Sequence, residues 1–299
     1  MIERSKSLGT KTSSFGVSKR ENHDSSQFYS RKMFENLKIN DSIMYKENKI
    51  HKNILDNVHC IDSRDMFIIP NESIHLMVTS PPYNCGKEYD NDLDLDEYRQ
   101  LLITVFEQVY EKLVVGGRAC INVANLGRRP YIPLHSYLIS DMLEIGFLMR
   151  GEIIWQKAAS AGGSTAWGSW MSATNPTLRD IHEYILIFSK KTMRRPKTPR
   201  DSTITKEDFL KCTTSIWEFP SESAMRVGHP APFPIDLPCR LIQLYTFEGD
   251  VVLDPFCGSG TTCVAALMTN RHFVGFDNNK EYVNLAKERI ASTVPATGN

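Results

Sequence analysis

Short apolar runs of β type alternate with helical patterns between residues 57 and 290, and this alternation limits the possible folds more than any other feature of the chain. Several runs are almost continuous in apolar character, as expected of strands covered on both faces. The clearest helical stripe begins near Tyr98 and is predicted to stop at Gly116 and Gly117. Strands with helices between them indicate an α/β fold, a doubly wound and mostly parallel seven-stranded sheet. The predicted strands are Val58–Ile61, Ile74–Val78, Ala119–Val123, Glu152–Trp155, Tyr184–Phe188, Val251–Leu253 and Phe273–Phe276.

Two segments depart from this alternation. Residues 1–30 are rich in Ser, Lys and Asn and lack periodicity, which predicts a disordered basic arm. The pattern also breaks down between Ser189 and Gly228, which predicts a small insertion, too short for a domain of its own. The expected organisation is an arm at 1–30, one part of the sheet domain at 31–190, an insertion at 191–228 and the rest of the same domain at 229–299.

Composition excludes several classes of protein. The seven cysteines form no C-x-x-C pair, which argues against a disulfide framework or a structural zinc site, and no metal is predicted. The start of the chain has no apolar stretch, and no run approaches the roughly 18 apolar residues of a membrane span. These features predict a cytoplasmic protein with no membrane partner. The 35 basic and 35 acidic residues balance, so any contact with nucleic acid must come from a local patch.

A strand, a glycine-rich turn and the start of a helix are predicted at Val251–Thr262. Gly258 and Gly260 allow the backbone to turn sharply and to approach a ligand closely. Thr261 and Thr262 are expected to cap the helix that follows. The spacing of these glycines differs from G-x-G-x-x-G, which disfavours a nicotinamide cofactor. The chain also lacks the G-x-x-x-x-G-K-[ST] loop of nucleoside triphosphatases.

An acidic residue follows this turn at a separation typical of ribose recognition. Asp277 ends the next predicted strand, 23 residues after Asp254. In open α/β sheets, an acid at about this separation commonly accepts hydrogen bonds from ribose hydroxyls. A carboxylate suits two vicinal hydroxyls because it only accepts hydrogen bonds. The turn and the acid together predict a cofactor that contains a nucleoside.

A proline-rich turn, Thr79–Asn84, directly follows the apolar strand Ile74–Val78, where open sheets place their ligands. Its residue types fit methylation of an aromatic amine, whose lone pair is delocalised into the ring. Two acceptors that hold both N–H groups favour a pyramidal nitrogen, and Ser80 Oγ and the Pro81 carbonyl are candidates. Pro81 and Pro82 contribute no competing N–H group, and Tyr83 is suited to stack on an extruded base. A rigid turn with a buried tyrosine is the structural alternative.

Both motifs resemble those of the DNA amino-methyltransferases. The string D-P-F-C-G-S-G-T-T at Asp254–Thr262 is similar to their S-adenosylmethionine-binding motif, and Thr79–Asn84 is similar to their catalytic motif. The catalytic motif precedes the cofactor motif, as in the permuted β group. The resemblance spans about residues 57–290. It implies the S-adenosylmethionine-dependent methyltransferase fold, with a catalytic half at 31–190, a target-recognition insertion at 191–228 and a cofactor-binding half at 229–299.

The resemblance also implies a set of cofactor-binding residues. Asp62 would lie near the adenine amino group, although Ile61 stands where the family more often has Gly. The segment 229–234 would help to enclose the methionine part of the cofactor. The implied cofactor-binding residues are Asp62, Asp254, Pro255, Phe256, Gly258, Gly260, Thr261, Thr262, Asp277, Asn278, Pro232 and Phe233.

The first residue of the catalytic motif bears on the target base. Within the family, Ser at this position goes mostly with cytosine N4 and Asp mostly with adenine N6, so Ser80 favours N4 of cytosine in DNA. Adenine N6 remains the alternative, and an RNA or protein methyltransferase, which usually carries Asn as the first residue, is a further one. Methylation of a ring carbon needs a thiolate that attacks the base, and the chain has no Pro-Cys-Gln string.

A basic segment, Lys190–Arg200, has the composition of a phosphate-contacting surface. The predicted DNA-binding residues are Lys190, Lys191, Arg194, Arg195, Lys197 and Arg200. The stretch Ala158–Arg179 is expected to form a loop near the target base. The resemblance implies double-stranded DNA as the partner, in a bacterial or archaeal restriction–modification system whose endonuclease would act separately. A monomer and a homodimer are both compatible with the sequence.

Overall fold

The computed structural model describes residues 29–37, 43–83, 93–157, 170–196, 199–221 and 233–293. The chain divides into two compact units, Met1–Asn40 and Asp41–Asn299. In the first unit, the described residues include a short 3-10 helix, Lys32–Leu37. Residues 1–28 of the predicted arm lie outside the described residues. The boundary of the first unit falls at residue 40, whereas the expected arm ended at residue 30.

One sheet of eight strands runs through the second unit, in the order β1-β8-β7-β2-β3-β5-β4-β6. Neighbouring strands pair in parallel except at β5, which is antiparallel to β3 and β4. The strands are β1 (Asn57–Cys60), β2 (Ile74–Thr79), β3 (Leu113–Val123), β4 (Phe147–Gln156), β5 (His182–Lys190), β6 (Ile216–Glu218), β7 (Val251–Asp254) and β8 (His272–Asp277). The mostly parallel α/β fold and all seven predicted strands are confirmed. The short β6 was not predicted, because three residues are too few to show a period.

Six helices lie in the described part of this unit. They are α1 (Leu95–Lys112), α2 (Leu134–Ile145), α3 (Lys206–Cys212), α4 (Asp236–Tyr245), α5 (Thr261–Met268) and α6 (Lys280–Thr293). A capping box at Asp94 and Glu97 starts α1. The prediction that Gly116 and Gly117 stop this helix is wrong: it ends at Lys112, because Leu113 is already extended and the glycines lie within β3. Across the described residues, no helix combines the length and apolar character needed to cross a membrane.

Helices cover both faces of the sheet, as the doubly wound prediction requires. Leu102 and Phe106 of α1 and Leu138 of α2 pack into the core of one face. Leu241 of α4 and Ala265 of α5, together with Val283 and Ala286 of α6, pack into the core of the other face. A sheet buried on both faces explains why its strands are nearly continuous apolar runs.

The order of the strands creates a switch point between β2 and β7. From β2 the chain passes through α1 to β3 on one side, and from β7 it passes through α5 to β8 on the other side. Ligands of open α/β sheets bind at the carboxyl ends of the strands, at such a switch point. The two predicted motifs follow β2 and β7, so the topology places both beside this crevice.

The basic segment Lys190–Arg200 lies at the opposite edge of the sheet. Because β5 is antiparallel to its neighbours, its last residue, Lys190, lies beside the start of β3, where its Nζ donates to the Leu113 carbonyl at 2.7 Å. Lys190 is buried, and burial lowers its pKa to about 8. Eight residue steps of about 3.3 Å separate Lys190 from the other end of β5, a distance of about 26 Å.

Two arginines of this segment join an ion cluster at that edge, built around the buried Asp250. Arg200 donates to Asp250 Oδ1 at 2.8 Å and to Glu47 Oε1 at 2.6 Å. The Arg195 guanidinium lies 2.6 Å from Asp250 Oδ2, although none of its nitrogens makes an aligned hydrogen bond. His75 Nδ1 accepts from Val251 N, so its Nε2 faces the Glu47 carboxylate at 3.3 Å.

The DNA contacts predicted for Lys190, Arg195 and Arg200 are therefore corrected. Lys190, Arg195 and Arg200 serve internal contacts, because their charges are neutralised or hydrogen-bonded within the protein. Lys191 and Arg194 are exposed but lie at the edge remote from the switch point. Lys197 lies outside the described residues. Sequence composition revealed the basic residues, and only the direction of β5 revealed at which edge of the sheet they lie.

Removal of Asp250 should destabilise the fold strongly. The Asp250→Ala variant leaves the buried guanidinium of Arg195 without its carboxylate, which costs roughly 3–5 kcal/mol. Urea unfolding measures this loss. Asp201→Ala is the matched control, because it removes an exposed acid that directly follows Arg200 in the chain. An Asp250→Ala variant as stable as this control would contradict a structural role for the ion cluster.

Candidate functional site

A cavity of about 520 Å³ opens at the carboxyl edge of the sheet, beside the switch point. Its volume falls within the range of roughly 300–1,000 Å³ that is typical of small-molecule sites. Residues of both predicted motifs line it, together with residues of α1 that no motif indicated. The lining residues are Asp62, Ser63, Arg64, Ser80, Pro81, Pro82, Tyr83, Leu93, Glu97, Gln100, Leu101, Thr104, Val105, Pro255, Phe256, Gly258, Asp277, Asn278, Asn279 and Tyr282.

Asp277 lies at the end of β8 with its carboxylate directed toward the glycine turn. Gly258 N donates to Asp277 Oδ2 at 2.9 Å, and Asn279 N donates to Oδ1 at 2.8 Å. Each oxygen keeps lone-pair capacity for one further donor. Burial raises the pKa of this carboxyl, and the two backbone donors oppose that rise. The arrangement suits a ligand that offers two neighbouring hydroxyl groups.

Asp254 does not line the cavity. It is fully buried and fixes the turn from behind: Thr79 Oγ1 donates to its Oδ1 at 2.7 Å, and Phe256 N donates to the same oxygen at 3.1 Å. Burial raises the pKa of Asp254 to about 6. The predicted role of Asp254 in direct cofactor contact is thus corrected to one of positioning, because its carboxyl joins the ends of β2 and β7.

The end of the glycine turn also packs inward. Gly260 has a φ of +79°, and a Cβ there would lie 3.0 Å from Ala286 of α6, so glycine is needed for helix packing. Gly260 itself is the N-cap of α5, so the predicted capping by Thr261 and Thr262 is wrong. Thr262 Oγ1 donates to the Val78 carbonyl at 3.3 Å, and Arg289 donates to Thr261 Oγ1 at 3.3 Å. Gly260, Thr261 and Thr262 shape the turn without lining the cavity.

The loop after β1 forms another wall of the cavity. Arg64 holds the Asp62 carboxylate with bonds of 3.0 Å from Nε and 2.5 Å from Nη2. The hydrogen bond from Arg64 lowers the pKa of Asp62, so this carboxylate is ionised at neutral pH. Ser63 Oγ donates to the Pro255 carbonyl and ties this loop to the glycine turn. Ser63 and Arg64 were not predicted, although they directly follow the predicted Asp62.

The S-P-P-Y turn carries a fixed hydroxyl pair. Ala124 N donates to the Tyr83 hydroxyl at 3.2 Å, and that hydroxyl lies 3.3 Å from Ser80 Oγ. Because the phenol oxygen already accepts from Ala124, its own proton is available to Ser80 Oγ. Tyr98 OH donates to the Pro82 carbonyl at 2.7 Å, which anchors the turn on α1. Burial raises the pKa of Tyr83 well above its usual value, so the phenol stays neutral.

A buried polar cluster that the sequence did not indicate lies beyond Tyr83 along the same edge. Asn122 Nδ2 donates to Glu183 Oε2 at 2.6 Å, and Lys157 forms an ion pair with Glu183 Oε1. The charge of Glu183 contributes to the raised pKa of Tyr83. Glu183 is the second residue of β5 and lies on the same face of that strand as Ile185 and Ile187. A charged residue at this position of an apolar face is the one signal that could have marked it in the sequence.

Of the two cofactor-binding residues predicted just before α4, the structure describes only Phe233. Pro232 lies outside the described residues. Phe233 packs against the core on the α4 face and does not line the cavity. The structure brings together Asp62, Pro255, Phe256, Gly258, Asp277 and Asn278 with Ser80, Pro81, Pro82 and Tyr83.

Comparison with known proteins gives consistent matches. A family model described as DNA methylase, for N6 and N4 methyltransferases, matches residues 74–288. The Type II methyltransferase M.MjaI of Methanocaldococcus jannaschii is 32% identical over 273 residues, which cover 77% of this chain and 89% of that protein. TTHA0409 of Thermus thermophilus, solved in complex with S-adenosyl-L-methionine, is 32% identical, with a TM-score of 0.66. The match covers 80% of this chain and 96% of that protein's chain. The cytosine-N4-specific PvuII DNA methyltransferase, 24% identical, covers 79% of this chain and 90% of its own with a TM-score of 0.60 and shares the fold.

The pKa of Asp254 predicts a specific pH dependence of stability. An unfolded Asp ionises near pH 3.9, whereas Asp254 in the folded chain ionises at about 6. Between these values the unfolded state loses its proton first, so the wild type loses stability as the pH rises, and above pH 6 the loss is complete. Asp254→Asn carries no such charge, so its stability relative to the wild type should rise by roughly 1–3 kcal/mol from pH 4 to pH 7. Urea unfolding at both pH values measures this difference, and an equal difference at both would contradict the assignment.

Proposed function

The chain belongs to the DNA methylase family of N6 and N4 methyltransferases, and we propose that it transfers a methyl group to N4 of cytosine in duplex DNA. The observation that carries the proposal is the position of Ser80 and Pro81 on the wall of the cavity that Asp277 and the glycine turn also line. A cofactor site and a pair of acceptors for an amino group thus share one cavity.

S-adenosyl-L-methionine is the cofactor, and it supplies a methyl group already activated on a sulfonium. The residues present fit this group. Each oxygen of the Asp277 carboxylate accepts one backbone hydrogen bond and can accept another, which suits the two ribose hydroxyls. The partly buried ring of Phe256 would offer an apolar face to the adenine. The ionised Asp62 would accept from the adenine amino group, with Arg64 holding it in place. Gly258 and Asn278 complete this wall of the cavity.

Ser80 Oγ and the Pro81 carbonyl would accept hydrogen bonds from the two N–H groups of the target amine. Holding both N–H groups favours a pyramidal nitrogen with a free lone pair. The Tyr83 phenol, fixed by Ala124 N, would keep Ser80 Oγ in position through its own proton. Anchoring of the Pro82 carbonyl by Tyr98 would hold the Pro81 carbonyl in a fixed direction. Positioning of this kind is the main source of rate when the methyl group is already activated.

Ser80 supports cytosine as the target, because Ser in this position of the family motif goes mostly with cytosine N4. The serine hydroxyl is a weaker acceptor than a carboxylate. It suffices when the attacking nitrogen sheds its proton after the transfer, because no base is then needed before it. The Type II methyltransferase relatives support a role in restriction–modification.

Identification of the methylated base tests the proposal directly. The purified chain is incubated with S-adenosyl-L-methionine and mixed-sequence duplex DNA, the DNA is digested to nucleosides, and the product is identified by mass spectrometry. We expect N4-methylcytosine. N6-methyladenine would overturn the assignment of the base while keeping the fold and the cofactor. No methylated base in DNA, with labelled RNA or protein instead, would overturn DNA as the substrate.

Tyr83 should matter for methyl transfer and little for cofactor affinity. Tyr83→Phe removes the hydroxyl that positions Ser80, and Tyr83→Ala also removes the ring. We expect both to lower the rate of DNA methylation, Tyr83→Ala by at least about 100-fold and Tyr83→Phe by less, with the cofactor Kd unchanged within about twofold. Single-turnover transfer of a labelled methyl group measures the rate. Equal losses of rate and cofactor affinity would contradict a role restricted to the target amine.

Asp277 should control cofactor affinity. Asp277→Ala removes the acceptor of two ribose hydrogen bonds, and bonds to a charged group contribute roughly 1.5–3 kcal/mol each. We expect the Kd for S-adenosyl-L-methionine to rise at least about tenfold by calorimetry. Glu281→Ala, which removes a nearby exposed acid from α6, is the matched control with an unchanged Kd. An unchanged affinity in a folded Asp277→Ala variant would refute the ribose assignment.

A further inference from the structure

A duplex whose target base reaches Ser80 must approach the carboxyl edge of the sheet. The exposed cations Lys191 and Arg194 lie at the other edge, about 26 Å away along β5, so they are poorly placed to hold that duplex. Binding of a duplex requires cations that neutralise phosphates near the target. The carboxyl edge must therefore carry a cationic surface of its own.

Two segments at this edge carry arginines, and we name them together the rim. They are residues 124–133 after β3 and residues 176–181 before β5. Because β5 is antiparallel, both segments lie at the same edge as Ser80. Arg128 Nη1 lies 2.7 Å from Asp180 Oδ2 and joins the two segments. Ile181 O accepts from Lys157 N and fixes the second segment to the end of β4.

The first segment is a short hairpin that presents two arginines. Leu126 N donates to Ile132 O at 3.1 Å, and Ile132 N donates back to Leu126 O at 2.8 Å, which closes the turn. Gly127 has a φ of +68°, and a Cβ there would lie 2.6 Å from the Pro130 carbonyl, so the turn requires glycine. Arg128 and Arg129 lie at the exposed tip of this hairpin.

The rim is directly connected to the catalytic turn. Its first residue, Ala124, donates its backbone N–H to the Tyr83 hydroxyl, which in turn lies 3.3 Å from Ser80 Oγ. A duplex that contacts the rim therefore lies against the side of Ser80 that faces β3 and β5. The residues that follow β7, β8 and β1 line the cavity on the other side of β2.

The charge of the rim favours a polyanion. Its two segments contain Arg128, Arg129 and Arg179, and Asp180 is their one acid. Leu178 and Tyr131, 85% and 44% exposed, add apolar surface beside the arginines. Guanidinium groups suit phosphate oxygens because they donate in a planar fork.

We propose that the rim, through Arg128, Arg129 and Arg179, binds the phosphate backbone of duplex DNA beside the target base. This inference rests on the proposed function only in taking duplex DNA as the substrate. It assigns to residues 124–133 and 176–181 the contact that composition had assigned to Lys190–Arg200.

Salt dependence of DNA binding tests the inference. Affinity of the full chain for a fluorescent duplex is measured by anisotropy over a range of salt concentrations, with S-adenosyl-L-homocysteine present and no turnover. Each phosphate contact contributes about −0.9 to the slope of log K against log salt. We expect Arg129→Gln to make the slope shallower by about 1. Arg128→Gln/Arg129→Gln should add less than a further contact, because Arg128 is already paired with Asp180. Arg129→Lys, which keeps the charge, should restore the slope.

Lys191→Gln/Arg194→Gln is the matched control, because it removes two exposed cations from the opposite edge, and its slope should equal that of the wild type. A slope that changes in this control but not in the Arg129→Gln variant would overturn the inference. So would equal slopes in all variants, or a wild-type chain without affinity for the duplex. Because binding is measured without methyl transfer, a failure of the N4 assignment would appear in product analysis alone and leave these slopes unchanged.

Discussion

The buried hydrogen bond from Thr79 to Asp254 joins the two halves of the site. Thr79 ends β2 and Asp254 ends β7, and the chain leaves these adjacent strands in opposite directions. The bond fixes the start of the S-P-P-Y turn against the start of the glycine turn, so the proposed acceptors for the target amine and the proposed cofactor wall are held in one rigid frame. Because it is buried and lies behind the cavity, this contact is shielded from water and from both ligands.

Around this contact, the site is built from short loops on rigid strands. Asp277, Asp254, Ser80 and Ala124 all follow or end parallel strands, so their backbones are held by the sheet. Side chains at one strand end fix groups at the next: Ser63 bonds the Pro255 carbonyl, Asp277 accepts from Gly258, and Tyr83 accepts from Ala124. A transfer reaction that depends on positioning benefits from such cross-links, because small displacements of the acceptors would reduce its rate.

The arginines at the two edges of the sheet differ in their surroundings. At the amino edge, Arg195 and Arg200 neutralise Asp250 and Glu47, so their charge stabilises the fold. At the carboxyl edge, Arg128 and Arg129 lie at an exposed tip. A chain with no net charge thus uses some of its cations inside the fold and presents others on an exposed surface.

The sequence by itself determined the α/β class, the strand positions and the residues of both motifs, because apolar periodicity and rigid glycine and proline turns are local properties. It did not determine which motif residues touch the cavity. Asp254, Gly260, Thr261 and Thr262 belong to the strongest motif and yet face inward, toward Thr79, Ala286, Arg289 and Val78 respectively. It likewise assigned Lys190, Arg195 and Arg200 to DNA, although they make contacts within the protein, because composition carries no information about strand direction. Those assignments were made only by the tertiary structure, because the antiparallel pairing of β5 and the crossing at β2 and β7 depend on contacts between residues far apart in the chain.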